Sequence, residues 1–372
     1  MSTNIKSIDS ITHSFFKQLD KKQIYSDEYA KFNIILPKEF GFCGGVVSAL
    51  KKLEDVVSRN NGEKIFLLGE IIHNPVVNDY FRKLGVVIIH HNSLDTVFEL
   101  ASSEDTIVIP AFGIPISLEL KITSHFKNIV DTTCWNVKSV WKFVEDEALN
   151  GSTILLYGKY SHPEVEATLS RAGKSSVIVL PSVDSVKNFL KIIKDFSNKT
   201  DLESQMSVSN IHFLNFQNFN ISRIALANQT TMLYDETLEI EDLLSSAFEN
   251  SGTKFISCRT ICKATYNRQK AALEVCRQNP DLIFVVGGYD SSNTIHLYRL
   301  ASKHAKTYYI KDDTVLSHDS ILHFVEEENK LCTTSTCEVF HNVKKIAIFA
   351  GASCPHTVIE DVIKKINTLE VD

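Results

Sequence analysis

Residues 282–303 read LIFVVGGYDSSNTIHLYRLASK. The first five are apolar and strand-forming; Gly287, Gly288 and a polar stretch then break the run. Apolar residues return at Leu297, Leu300 and Ala301, the three- and four-residue spacing of one helix face. The segment is thus a short buried strand, a turn and an amphipathic helix. The same unit recurs on its N-terminal and C-terminal sides. Apolar runs stand at FNIIL (32–36), KIFLL (64–68), VVIIH (86–90), TIVIP (106–110), STILLY (152–157), SVIVL (176–180), RIALA (223–227) and KIAIFAG (345–351). Helical spacing appears over 46–58, 76–83, 136–149, 163–171, 183–195, 234–248, 265–277, 293–303 and 356–368. Short buried strands alternating with helices predict an α/β fold with mainly parallel sheets.

The size and charge of the chain narrow its class. Its 372 residues exceed one compact core and suggest two or three domains. With 44% hydrophobic and 23% charged residues, most of it is expected to fold. A formal charge of -6 provides no phosphate-binding excess, so a nucleic-acid partner is not expected. No apolar run approaches the ~20 residues of a membrane helix, and the start lacks the apolar core of a signal peptide. A cytoplasmic protein with no membrane partner is the expectation. Residues 196–222, polar and Asn-rich with interspersed phenylalanines, read as an inserted long loop.

Ligands of α/β folds sit beyond the carboxyl ends of strands, so the strand-to-helix junctions matter most. Several of them carry cysteine. Cys43 lies among glycines in GFCGGV, Cys134 follows Asp131, Thr132 and Thr133 at a helix entry, and Cys262 opens another helix. A helix N-terminus lowers a thiol's pKa and favours the thiolate as a ligand. Three such thiols could converge on one cluster, but lone cysteines are commonly small buried side chains, and spacing leaves both readings open. Cys276, Cys332 and Cys337 read as buried packing; Cys258 and Cys354 stay ambiguous.

In order along the chain, GFCGGV (41–46), EIIHN (70–74), DTTC (131–134), HPEVEAT (162–168), NQTT (228–231), CKATYNRQ (262–269), VVGGYDSSNT (285–294) and GASCP (351–355) resemble the motifs of the LytB family of 4-hydroxy-3-methylbut-2-enyl diphosphate reductases. The resemblance runs from about residue 32 to 368. It implies a trefoil of three α/β domains around a central iron-sulfur cluster. The expected division is an N-terminal extension over 1–30, α/β domains over 31–134, 135–260 with the 196–222 insertion, and 261–372, with the first strand able to pack with the third domain.

The resemblance implies roles as well. Cys43, Cys134 and Cys262 match three ligands of a [4Fe-4S] cluster whose fourth iron stays open, so that it can act as a Lewis acid toward the substrate hydroxyl. Two electrons and two protons then remove an allylic hydroxyl as water, giving isopentenyl and dimethylallyl diphosphate, the last step of the methylerythritol phosphate route. Glu164 matches the proton source and Thr230 its helper. His73, His162, Ser291, Asn293 and Ser353 match diphosphate-holding residues, with Thr265, Asn267 and Ser292 beside them in the same motifs. A ferredoxin or flavodoxin is the implied electron donor. Taken singly, His162 reads as a helix cap, Glu164 as a first-turn acid, SSN as an N-cap and QTT as a turn; together and in family order they read as a site.

The chain departs from the family pattern at three places. Phe112 stands where an AHG motif has histidine, which removes a charge-assisted contact of about 1.5–3 kcal/mol. Trp135 replaces a proline after the second cysteine. Tyr289 and Asp290 precede the SSN motif in place of a basic approach, and an inward Asp290 would oppose an anion. These departures motivate two alternatives to the reductase: a homologue acting on another allylic or hydroxylated phosphate, and a non-enzymatic cluster sensor. The sensor leaves the retained Glu164 and Thr230 without purpose.

Overall fold

A computed structural model describes residues 24–25, 31–194, 204–207, 209 and 211–369. The rest of the expected N-terminal extension, residues 196–203, 208 and 210 of the expected insertion and the last residue of the helix expected over 183–195 lie outside the described residues. Among the described residues the strands form three sheets, and the chain divides into two compact units.

One unit comprises the described residues up to Arg59 and from Lys263, together with Ile72–Gly85. Its seven-stranded sheet runs in space through Ile24–Tyr25, Asn33–Ile35, Lys345–Ala350, Leu282–Val286, Lys306–Ile310, Ser320–Val325 and Lys330–Ser335. The central neighbours from Asn33–Ile35 to Lys306–Ile310 pair in parallel, while both ends are antiparallel. Leu282–Val286 is buried along its whole length, as its unbroken apolar run requires of a parallel strand covered on two faces. Ile34, Phe284 and Ile348 share one core with Ile359, Val362 and Ile366 of the helix His356–Thr368. Phe284→Ala in such a core costs about 3–5 kcal/mol.

The other unit, Asn60–Ile71 and Val86–Cys262, carries two sheets. The four-stranded sheet has the order Val86–Ile89, Ile65–Leu68, Thr106–Ile109, Asn128–Asp131, all parallel. The five-stranded sheet has the order Lys254–Ser257, Arg223–Asn228, Thr153–Tyr157, Val177–Leu180, His212–Leu214, with only the last strand antiparallel. The helix Trp135–Leu149 lays Val140 and Val144 on this sheet against Ile154, Val177 and Ala225. The fold is mixed α/β with three mainly parallel sheets.

Several elements differ from the sequence reading. The segment expected as a loop supplies the antiparallel strand His212–Leu214, and its phenylalanines are core: Phe216 and Phe219 pack with Met206, Ile211 and Phe189. Polar neighbours mask that contribution in the sequence. The hairpin Ser320–Val325 and Lys330–Ser335 was not expected, because its strands are only half-buried and carry polar residues between the apolar ones. No helix among the described residues is long and apolar enough to cross a membrane.

Candidate active site

Each of the three sheets delivers one of the singled-out cysteines just beyond the carboxyl end of a strand. Cys43 follows Asn33–Ile35 and immediately precedes the helix Gly44–Arg59; Cys134 follows Asn128–Asp131 and precedes Trp135–Leu149; Cys262 follows Lys254–Ser257 and precedes Lys263–Cys276. All three are thiols outside any disulfide, and all three are half-buried. The Val46 amide points at the Cys43 sulfur from 3.4 Å, and the Asn136 side-chain amide at the Cys134 sulfur from 3.8 Å. Donors aimed at sulfur at a helix start stabilise a thiolate. Among the described residues no three His, Cys, Asp or Glu side chains are grouped closely enough to hold one metal ion. An iron-sulfur cube differs from a single ion in that its own atoms hold the protein thiolates apart. Half-buried thiols outside disulfides, with donors on two of them, have the chemistry such a cluster needs.

The turn that carries Cys43 is tightly determined. Gly41 has φ +72°, and a Cβ there would meet the His356 ring at 2.4 Å, so only glycine fits. The buried Arg268 donates to the Gly41 carbonyl at 2.7 Å, and the Cys43 amide donates to Ala352 at 3.4 Å. The sequence reading missed Arg268; its place in CKATYNRQ carries no sign that it reaches residue 41.

At the carboxyl edge of the five-stranded sheet, the helix Pro163–Leu169 brings Glu164 to the turn after Arg223–Asn228. The Thr230 amide donates to one oxygen of the Glu164 carboxyl at 2.6 Å and its hydroxyl to the other at 2.9 Å. Glu164 is 2% exposed. Burial pushes its pKa up, the two Thr230 donors pull it partly back, and the result is about 7. The Cys262 amide donates to the Thr230 carbonyl at 3.1 Å, tying that cysteine's peptide to the same turn. His162 caps the helix: the Glu164 amide donates to its Nδ1 at 3.2 Å, which in the neutral ring leaves the proton on Nε2 as a donor. The cap reading of His162 is thus what the structure shows, with Nε2 turned away from the cap bond.

At the carboxyl edge of the seven-stranded sheet, Ser291 caps the helix Ser292–Ser302 and accepts from the Thr294 amide. The Ser353 hydroxyl lies 3.2 Å from both the Ser291 hydroxyl and the His73 carbonyl. Asn293 accepts from the Ala352 amide at 2.9 Å and donates to the Thr265 hydroxyl at 3.4 Å. Ser291, Asn293, Thr265 and Ser353 are buried, while His73, Asn267 and Ser292 are half-buried. A Cβ on Gly288 would meet the His73 carbonyl at 2.5 Å, which explains the second glycine of VVGGYDSSNT. The network brings five of the expected substrate-side residues together; Asn267 and Ser292 stand beside it in sequence.

The departures and the remaining cysteines take definite places. The Phe112 ring meets His162 edge-on, with centroids 5.5 Å apart. Phe112 thus orients the imidazole by packing, worth about 0.5–1.5 kcal/mol. Asp290 is exposed, while Tyr289 stacks with Phe324 and meets Tyr309 edge-on. Trp135 is exposed as well. Cys276 is buried as expected and Cys332 half-buried. Cys337 corrects the sequence reading: it is exposed, because the short helix Thr336–Phe340 turns Thr336, Val339 and Phe340 inward. Burial pushes the thiol pKa of Cys276 up to about 11; burial likewise pushes the Cys258 and Cys354 thiols up from their ordinary value.

Residues 34–367 match the family model described as LytB protein. The chain belongs to the LytB family. This LytB protein is 33% identical over 362 residues to a 4-hydroxy-3-methylbut-2-enyl diphosphate reductase of Prochlorococcus marinus, covering 90% of this chain and 85% of the relative. A reductase of the same name from Picosynechococcus is 34% identical over 343 residues, covering 90% of this chain and 83% of that one. Among solved structures, the E-1-hydroxy-2-methyl-but-2-enyl-4-diphosphate reductase of Plasmodium falciparum shares the fold, with a TM-score of 0.69, 21% identity and 91% of each chain covered. A structure of (E)-4-hydroxy-3-methyl-but-2-enyl diphosphate reductase gives a TM-score of 0.54 and 26% identity, covering 90% of this LytB protein and 99% of the other chain.

Proposed function

We propose that this LytB chain reduces 4-hydroxy-3-methylbut-2-enyl diphosphate to isopentenyl and dimethylallyl diphosphate, removing the allylic hydroxyl as water in the last step of the methylerythritol phosphate route. The observation that carries this reading is Glu164: a buried carboxyl with a pKa near 7, gripped by Thr230 at two points, whose carbonyl in turn accepts from the Cys262 amide. A carboxylic acid near neutrality is what a proton donor at physiological pH requires. A cluster sensor has no use for one.

In this reading Cys43, Cys134 and Cys262 are the thiolate ligands of a [4Fe-4S] cluster. When bound, the cluster supplies the electrons and a Lewis-acidic iron. Glu164 holds a proton on one carboxyl oxygen and gives it up toward the departing hydroxyl, with the Thr230 hydroxyl orienting that oxygen. Ser291, Asn293, Thr265 and Ser353 hold the diphosphate with neutral donors, beside the positive end of the helix Ser292–Ser302. His73, and His162 through Nε2, add imidazole donors, and Asn267 and Ser292 complete the polar lining. Phe112 orients His162 in place of donating itself. A low-potential ferredoxin or flavodoxin supplies the electrons, in the cytoplasm.

The test is anaerobic purification with iron and sulfide analysis, followed by turnover of the substrate with reduced methyl viologen on the same sample. Brown protein that forms both diphosphate products is the expected result. Brown protein inert with this substrate would point to a relative with another allylic phosphate as substrate, and a chain that takes up no iron would remove the ligand assignment.

A further inference from the structure

Thr294 is fully buried in the first turn of the helix Ser292–Ser302 and makes two hydrogen bonds to one neighbour. Its amide donates to the Ser291 hydroxyl oxygen at 3.3 Å, and its own hydroxyl donates to the same oxygen at 2.9 Å. A serine oxygen has two lone pairs and one proton. With both lone pairs engaged by Thr294, Ser291 is left to donate. An ordinary N-cap serine accepts from an amide alone, and its proton has no fixed direction. The Ser353 hydroxyl, 3.2 Å from Ser291, has the His73 carbonyl as an acceptor at the same distance and can place its proton there.

Two glycines make room for the Thr294 hydroxyl. A Cβ on Gly351 would stand 2.0 Å from Thr294 Oγ1, and a Cβ on Gly287 would stand 2.7 Å from it. Gly287 follows Leu282–Val286 and Gly351 follows Lys345–Ala350, so two neighbouring parallel strands both end in a residue without a side chain around the same atom. The φ of Gly351 lies outside the left-handed region, so space and not backbone conformation excludes a side chain there.

We propose that Thr294 is a positioning residue for anion binding: its hydroxyl, seated between Gly287 and Gly351, fixes Ser291 as a hydrogen-bond donor to a diphosphate oxygen. The inference rests on the diphosphate reading of this edge given above. Being fully buried, Thr294 acts through Ser291 and does not touch the ligand. Without the Thr294 hydroxyl the Ser291 oxygen regains a lone pair, its proton is no longer committed, and binding has to orient it.

The experiment compares the anaerobically prepared wild-type holoenzyme with Thr294→Ser, Thr294→Ala and Thr294→Val. The first keeps the hydroxyl and loses the methyl, the second loses both, and the third keeps the shape and loses the hydroxyl. Pyrophosphate binding is measured by calorimetry. KM and kcat for 4-hydroxy-3-methylbut-2-enyl diphosphate are measured with reduced methyl viologen. We expect Thr294→Val and Thr294→Ala to bind pyrophosphate about 3- to 10-fold more weakly, and Thr294→Ser to stay within about twofold of wild type. In the two weakened variants KM rises by a like factor and kcat changes less. Thr294→Val at wild-type affinity overturns the proposal, as does Thr294→Ser as weak as Thr294→Ala, since the methyl would then carry the effect. If Thr294→Val does not fold, the serine and alanine variants decide alone. Wild-type holoenzyme that binds no pyrophosphate overturns the diphosphate reading itself, whereas a wild type that binds it beside unaffected variants overturns only the role of Thr294.

Discussion

Two strand edges, one in each compact unit, meet opposite demands with the same kind of junction. At the carboxyl edge of the seven-stranded sheet, the linked side chains Ser291, Asn293, Thr265 and Ser353 carry no charge. At that of the five-stranded sheet, a buried acid, Glu164, is held by two donors from Thr230. Neutral donors at a helix start can receive an anion without burying a cation, whose desolvation would be costly. A buried acid can keep its proton near neutrality only if burial outweighs the donors that favour its charged form. On the proposed reading, the first edge holds the diphosphate and the second the proton.

The largest effect that would break this comparison lies in the three cysteines proposed as cluster ligands. Serine at Cys43, Cys134 or Cys262 should each abolish turnover and lower the iron content of anaerobically prepared protein, while Cys337→Ser should leave both unchanged. Loss at Cys337 and tolerance at Cys134 would reverse the assignment.

Next is the acid itself. Glu164→Gln keeps a group of similar shape beside Thr230 without a proton to give, so turnover should fall about 10²–10⁴-fold. Wild-type turnover should fall about tenfold per pH unit above about pH 7, where Glu164 ionises. Stability follows with a definite sign. Folding raises this pKa from 4.5 to about 7, so the protonated acid favours the folded state; its contribution is full below about pH 4.5 and is lost as pH climbs through about 7. Thermal melts of wild type should therefore decline across that window relative to Glu164→Gln.

The neutral edge should respond more gently. Asn293→Ala removes one acceptor and one donor, so pyrophosphate, measured by calorimetry, should bind about 3- to 10-fold more weakly with the fold intact. Phe112→Ala should be the mildest. It frees the His162 ring at about 0.5–1.5 kcal/mol, read as a small rise in KM at unchanged kcat.

The sequence showed much of this because parallel strands read as unbroken apolar runs and their carboxyl ends can be located. Leu282–Val286 and its helix stand within a residue of where periodicity put them. The cysteine, serine and acid positions were legible as ordered motifs, since each sits at such a junction. Contacts between distant segments were not. Arg268 reaches Gly41 across 227 positions, and Phe112 finds His162 only after folding. The buried Phe216 and Phe219 were hidden by polar neighbours whose side chains turn outward, and the half-buried hairpin after Ser320 gave too weak an alternation to stand out.

The claim at the centre of this account is that Glu164 carries a proton near neutral pH. Infrared difference spectroscopy of wild type against Glu164→Gln, titrated from pH 5 to 9, reads it directly. The account predicts a protonated-carboxyl stretch absent from the variant and titrating away near pH 7. A carboxyl already ionised at pH 5 would contradict it.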